Sequence, residues 1–140
     1  MLTYLDSCIL IYWVEGPAPF DARARAHLAT LQAAGHRFAI SDFTRLECLV
    51  KPLGLGDGAL LLDYERMFLA PGVTVVPLST PVFDRAAHIR GHHAYASSGK
   101  RYSAQDALHL AAAVQAGCTS FLTNDNRLAG FPDLTVEVLP

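Results

Sequence analysis

The chain has 140 residues, 51% of them apolar, only 17% Asp, Glu, Lys or Arg, and a formal net charge of −2. That balance supplies no global attraction to nucleic acid or to an anionic membrane, so any such contact must rest on a local patch. No segment approaches the roughly 20 consecutive apolar residues of a membrane helix, and MLTYLDSCIL has neither a basic n-region nor an A-x-A-like cleavage site, so a soluble, cytoplasmic protein folded as a single domain over residues 1–140 is expected.

In chain order, a short apolar strand at 3–5 is followed by a helix over 7–14 and a longer helix over 20–34 that ends before Gly35. The strand RFAI at 37–40 leads into a helix over 42–51, stopped by Pro52, and another over 57–70, stopped by Pro71. Then come VTVV at 73–76, a helix over about 80–96, a helix over 104–116 ended by Gly117, and strands TSFLT at 119–123 and TVEVL at 135–139. Strands alternating with helices predict an α/β layer structure. Its sheet is mostly parallel, of about five strands with helices on both faces, and ligands bind outside the carboxyl ends of the strands. Cys8, Cys48 and Cys118 lack the C-x-x-C spacing of a zinc site and read as three reduced, mostly buried thiols.

Four carboxylates are directed toward that carboxyl edge. Asp6 directly follows the first strand, and Asp125 follows the fourth in TSFLTNDN. Asp106 lies in the first turn of the helix that feeds the fourth strand, and a helix antiparallel to its sheet begins at the strands' carboxyl edge. Glu47 falls within an apolar stripe of Phe43, Leu46 and Val50, so it faces inward, where an anion is costly unless paired, hydrogen-bonded or bound to a cation. Each acid also has an ordinary local role. Ser103-x-x-Asp106 matches a capping box, Asp6 can cap a helix, Asn-Asp-Asn can form a turn around Asp125, and Glu47 can pair with Arg45 or another base.

Four acids brought together would repel one another and raise their own pKa values without a cation. Oxygen-only ligands suit Mg²⁺ or Mn²⁺, which makes Asp6, Glu47, Asp106 and Asp125 candidate catalytic and metal-binding residues. Such a pocket supports phosphodiester hydrolysis by metal-activated water and needs no nucleophilic side chain. The sequence carries no G-x-S-x-G elbow, Walker A loop or G-x-G-x-x-G fingerprint, which lowers the odds of a serine hydrolase, an NTPase or a dinucleotide enzyme. Ser7, Ser41 and Asn124 lie beside the acids and could bond a carboxylate, a water or a phosphate; they are equally well explained as caps and turn residues.

From Arg85 to Arg101 the chain carries Arg85, His88, Arg90, His92, His93, Lys100 and Arg101 with no acid among them. A solvated helix face would look the same. As a functional patch, Arg85, Arg90, Lys100 and Arg101 are candidate phosphate contacts for RNA, with Tyr95 and Tyr102 available to stack on unpaired bases. The histidines share no motif with a fourth ligand, so structural zinc is not expected.

The segments YLDSCILIY, TRLECLV, SAQDALHLAAAVQAGC and FLTNDNRL resemble, in order and spacing, the four acidic blocks of PIN-domain ribonucleases, most closely the VapC-type toxins of type II toxin–antitoxin systems. The resemblance spans nearly the whole chain. It implies a PIN-like three-layer fold, with Asp6, Glu47, Asp106 and Asp125 as the metal-binding catalytic acids. It further implies Mg²⁺- or Mn²⁺-dependent endonucleolytic cleavage of RNA, often a transfer or ribosomal RNA, together with a VapB-like antitoxin and a homodimer. A PIN-like nuclease of RNA processing or DNA flap cleavage, and a non-catalytic module binding a metal or a basic peptide, are the alternatives. His109, three residues after Asp106, stands where an aliphatic residue would be the simpler helix filler; it either orients Asp106 or packs, and packing is favoured.

Overall fold

A computed structural model of the chain describes residues 1–95 and 101–140. The elements run β1 (Leu2–Leu5), α1 (Ser7–Val14), α2 (Phe20–Ala33), β2 (Arg37–Ser41), α3 (Asp42–Leu55), α4 (Gly58–Phe68), β3 (Val73–Val76), α5 (Thr80–Tyr95), α6 (Ala104–Gln115), β4 (Ser120–Thr123) and β5 (Thr135–Val138), with a short 3-10 turn at Asn126–Leu128 between the last two strands. The strand order is β3-β2-β1-β4-β5 and every pairing is parallel. The chain therefore starts in the middle of the sheet, builds outward through β2 and β3, and then crosses to the far side of β1 to add β4 and β5. The reversal falls between β1 and β4, and in an open parallel sheet the crevice at the carboxyl ends of such a pair is where ligands bind.

The three central strands, β2, β1 and β4, are short and largely buried on both sides, so successive residues feed two separate cores. Tyr4, Ala39 and Phe121 point to one face, where Val82, Ala86 and Ile89 of α5 and Ala107, Leu110 and Ala111 of α6 cover them. Leu5, Phe38, Ile40 and Leu122 point to the other, against Ile9 and Leu10 of α1, Leu28 of α2, Cys48 of α3 and Tyr64 and Phe68 of α4. This is the three-layer α/β fold expected from the alternation of strands and helices, with six helices among the described residues. Full burial of each large apolar side chain contributes about 1.5–3 kcal/mol. In α6 the alanines 107, 111, 112 and 113 are all fully buried, so that helix can approach closely and hold its first turn at the edge of the sheet. No helix among the described residues is long and apolar enough to cross a membrane.

Helix α3 departs from expectation in two ways. Pro52 lies inside it, and the helix runs on to Leu55, where Gly56 closes it with φ +64°. A proline removes one helical hydrogen bond, at a cost of about 3 kcal/mol, and here the residue is buried on the inward face of the helix. The second departure is rotational. The buried face is Thr44, Cys48 and Pro52, whereas Leu46 and Val50 of the anticipated inward stripe are 60% and 62% exposed. The helix carries apolar residues on two sides, so periodicity alone does not say which side is inward.

Candidate active site

Asp6 sits one residue past β1, where its N–H still donates to Leu122 O at 2.9 Å, extending the pairing of β1 with β4. It also begins α1, its Oδ1 accepting from the Ser7 N–H at 2.8 Å. Its other oxygen accepts from Thr123 Oγ1 at 2.7 Å. The same Thr123 hydroxyl receives the Asp125 N–H at 3.0 Å, so one threonine at the end of β4 links two of the predicted acids. Burial holds the Asp6 carboxyl above its usual range, against the opposing effect of His109 and of the Thr123 and Ser7 bonds.

Glu47 enters from the second turn of α3, on the flank of its buried face, and its side chain remains 33% exposed. Its Oε1 accepts from Ser7 Oγ at 2.7 Å and lies 2.5 Å from His109 Nε2. Burial pushes the Glu47 carboxyl up, but the hydrogen bonds from His109 and Ser7 outweigh it, and the net shift is downward. Arg45 is not its partner. Arg45 pairs with Glu65 at 3.5 Å and lies over the Phe68 ring, 4.7 Å from its centroid. His109 is buried, with Nε2 4.0 Å from Asp6 Oδ1 and Nδ1 2.7 Å from the Tyr4 hydroxyl. It therefore neither serves as mere filler nor bonds Asp106; it turns toward Glu47.

Asp106 occupies the first turn of α6, where Ser103 Oγ accepts its N–H at 3.0 Å. The capping serine and the acid are compatible roles, because the backbone is held by Ser103 while the carboxylate lies 4.0 Å from Arg127 Nη2. Asp125 follows β4 and caps the 3-10 turn through the Arg127 N–H at 2.9 Å. The Arg127 guanidinium forks onto the Asp125 carboxylate, and this hydrogen bonding draws the Asp125 carboxyl below its usual range.

The four acids thus lie at one edge in two groups, Asp6 and Glu47 around Ser7 and His109, Asp106 and Asp125 around Arg127. Among the described residues, no three His, Cys, Asp or Glu side chains stand together as a preformed cation cage. The donor set still fits Mg²⁺ or Mn²⁺. It is all oxygen, and Mg²⁺ keeps several waters and is commonly held by one or two carboxylates plus substrate phosphates. The raised Asp6 carboxyl is the group that a nearby cation would most directly relieve.

Thr123, Tyr4 and Arg127 were not singled out in the sequence. Arg127 had a visible signal, a base two residues after Asp125, but the roles of Thr123 and Tyr4 depend on contacts between distant segments. Of the flanking polar residues, Ser7 bonds a carboxylate, Ser41 caps α3 through the Phe43 N–H at 3.2 Å, and Asn124 donates to the Tyr12 hydroxyl at 3.0 Å.

Of the predicted basic contacts, Arg85 and Arg101 are exposed, Arg90 donates from Nε to Tyr102 O at 3.1 Å, and Lys100 lies outside the described residues. Arg90 and Arg101 line a pocket of about 270 Å³ with Tyr95 and Tyr102. Tyr95 is open to solvent, but Tyr102 is buried, edge-on to His93 and Phe131, so the core claims the ring that the sequence offered for base stacking. The three cysteines are free thiols, Cys48 and Cys118 buried and Cys8 partly so.

A parallel sheet with four acids near its central crevice defines an α/β protein with an acid-rich carboxyl edge. The chain belongs to the PIN-domain family, whose model matches residues 3–134. The fold is similar to DNA-bound VapBC from Salmonella typhimurium, with a TM-score of 0.77, 19% identity and complete coverage of both chains. VapBC2 from Rickettsia felis, bound to a DNA fragment from its promoter, has a TM-score of 0.75 at 16% identity, again over both whole chains. The Mycobacterium tuberculosis toxin VapC20, described as cleaving the Sarcin-Ricin loop, has a TM-score of 0.63 at 17% identity, covering 85% of this chain and 86% of its own. No curated protein sequence matches the chain.

Proposed function

We propose that this PIN-domain protein is a Mg²⁺- or Mn²⁺-dependent endoribonuclease acting as the toxin of a VapBC-type toxin–antitoxin pair. The observation that carries the reading is the placement of Asp6 and Asp125 at the carboxyl ends of the adjacent strands β1 and β4, joined through Thr123, with Glu47 and Asp106 brought to the same edge. Similarity to toxins found as VapBC complexes, and to one described as cleaving the Sarcin-Ricin loop, supports a toxin role, an RNA substrate and a VapB-like antitoxin. The exposed apolar side chains Leu46, Val50 and Leu53, on one side of α3, are consistent with protein partners, the antitoxin and a second copy of the chain.

Asp6, Glu47, Asp106 and Asp125 would hold the cation. When bound, it supplies Lewis acidity, acidifying the attacking water and neutralising charge on the scissile phosphate. Thr123 and the Ser7 N–H fix the two oxygens of Asp6, while Ser7 Oγ and His109 fix Glu47. Arg127, largely exposed beside Asp125, is placed to meet a phosphate arriving at the mouth of the site, with Arg85, Arg90 and Arg101 as further candidate contacts and Lys100 as a sequence candidate.

The test is Asp106→Asn, which keeps the shape and the Ser103 cap. The variant should fold, yet lose Mn²⁺-dependent RNA cleavage and growth arrest on expression by more than a hundredfold. Wild-type-like cleavage by the folded variant would refute the assignment.

A further inference from the structure

We propose that His109 is a positioning residue for Glu47, its imidazole held from behind by Tyr4 so that Nε2 presents an N–H to the carboxylate. The proposal rests on the metal-site reading above and deepens it by assigning the group that orients one of the four acids.

The geometry fixes which way the protons point. An ionised carboxylate only accepts, so Nε2, 2.5 Å from Glu47 Oε1, carries the proton of that bond. On the other side of the ring, Nδ1 lies 2.7 Å from the Tyr4 hydroxyl. With the Nε2 proton committed to Glu47, a neutral ring presents Nδ1 as an acceptor, and the Tyr4 hydroxyl beside it donates, which holds the imidazole with its N–H on the Glu47 side.

Packing removes the remaining freedom. His109 is 2% exposed, set between Tyr4, whose ring is edge-on with centroids 5.7 Å apart, and Phe43, at 5.4 Å. Tyr4 stacks in turn on Phe121, the centroids 5.2 Å apart. The chain of contacts runs from Phe121 in β4, through Tyr4 in β1 and His109 in α6, to Glu47 in α3. It ties the acid of a helix with an exposed outer face to the rigid middle of the sheet. Histidines and hydroxyls that orient metal-ligating carboxylates act in this way, and their loss typically costs 10–100-fold in metal affinity.

The experiment is a double-mutant cycle read by Mn²⁺ binding, using calorimetry or the electron paramagnetic resonance signal of free Mn²⁺, with thermal melting to verify folding. His109→Leu should weaken Mn²⁺ binding about 10- to 100-fold, and should have little further effect in a Glu47→Gln background, because it acts through Glu47. His109→Gln, which keeps an N–H donor, should recover much of the loss. Tyr4→Phe deletes only the hydroxyl and runs the same cycle from the far side of the ring, should the leucine variant not fold. It should weaken binding about two- to tenfold, again only when Glu47 is present.

Unchanged affinity in a folded His109→Leu or Tyr4→Phe protein overturns the proposal, as do losses that simply add to that of Glu47→Gln. Wild-type protein that binds no Mn²⁺ overturns the metal-site reading and this proposal with it; wild-type binding beside an unaffected His109→Leu overturns this proposal alone.

Discussion

Arg127 grips Asp125 with two nitrogens, Nε 3.0 Å from Oδ1 and Nη2 2.6 Å from Oδ2, while the same Nη2 stands 4.0 Å from Asp106. One cationic side chain thus faces two of the acids proposed to hold a divalent ion. The guanidinium is 76% exposed, so solvent screens it and its competition with a metal is modest. Arg127→Ala should tighten Mn²⁺ binding by about two- to fivefold, measurable by titration at low ionic strength. RNA affinity should fall in the same variant as a phosphate contact is lost. Weaker Mn²⁺ binding would show instead that Arg127 organises the acids and does not compete for them.

Thr123 is the hinge between Asp6 and Asp125, donating to one carboxylate and accepting the backbone N–H of the other. Valine has nearly the same shape and neither capability. Thr123→Val leaves a mostly buried carboxylate oxygen and an N–H short of a partner, a loss of about 1–3 kcal/mol. The variant should melt several degrees lower and cleave RNA at least tenfold more slowly at saturating metal. A melting point within one degree of wild type would mean that water replaces the hydroxyl without loss.

The strands and the edge they point to were legible because the signals are local. VTVV at 73–76 is β3 residue for residue, and Asp6 and Asp125 declare their position simply by following apolar strands. What the sequence could not convey was orientation. The apolar residues of α3 lie on two sides, and the side that turns inward carries Thr44, Cys48 and a buried proline, while Leu46 and Val50 face outward. Spacing along one helix offers His109 only as packing or as an orienter of Asp106, because one segment reveals no more. Its actual partners, Tyr4 and Glu47, come from β1 and α3, 105 and 62 residues away. Tyr102 fails in the opposite direction: its place in a basic stretch suggested base stacking, and the core claimed the ring.

The free thiols offer a test of burial. Burial raises all three cysteines, Cys8 and Cys48 to about 12 and Cys118 to about 11, so almost none is thiolate at neutral pH. Native protein should react with a disulfide reagent such as Ellman's at pH 8 far more slowly than free cysteine, at least a hundredfold, and should release all three equivalents at once in denaturant. Rapid labelling of one thiol in the folded protein would show that its surroundings open on the timescale of the assay.

Glu15 makes the pH dependence of the fold testable away from the acidic edge. It closes α1 and accepts from Lys51 of α3 and from the Tyr64 hydroxyl of α4, tying three helices together on one face of the sheet. Burial pushes its carboxyl up, but the bonds from Lys51 and Tyr64 and the Lys51 charge outweigh that, so its folded-state pKa lies below the ordinary value. The sign follows from linkage. A group depressed by folding contributes stability that is fully present above its unfolded pKa, about 4.3, and is lost as pH falls through the lower folded value. Glu15→Gln should therefore melt a few degrees below wild type at pH 7, and the gap should shrink as pH drops beneath about 4. A gap that stays constant from pH 7 to the acid limit of folding would assign the contribution of Glu15 to packing and neutral hydrogen bonds, with no part for its charge.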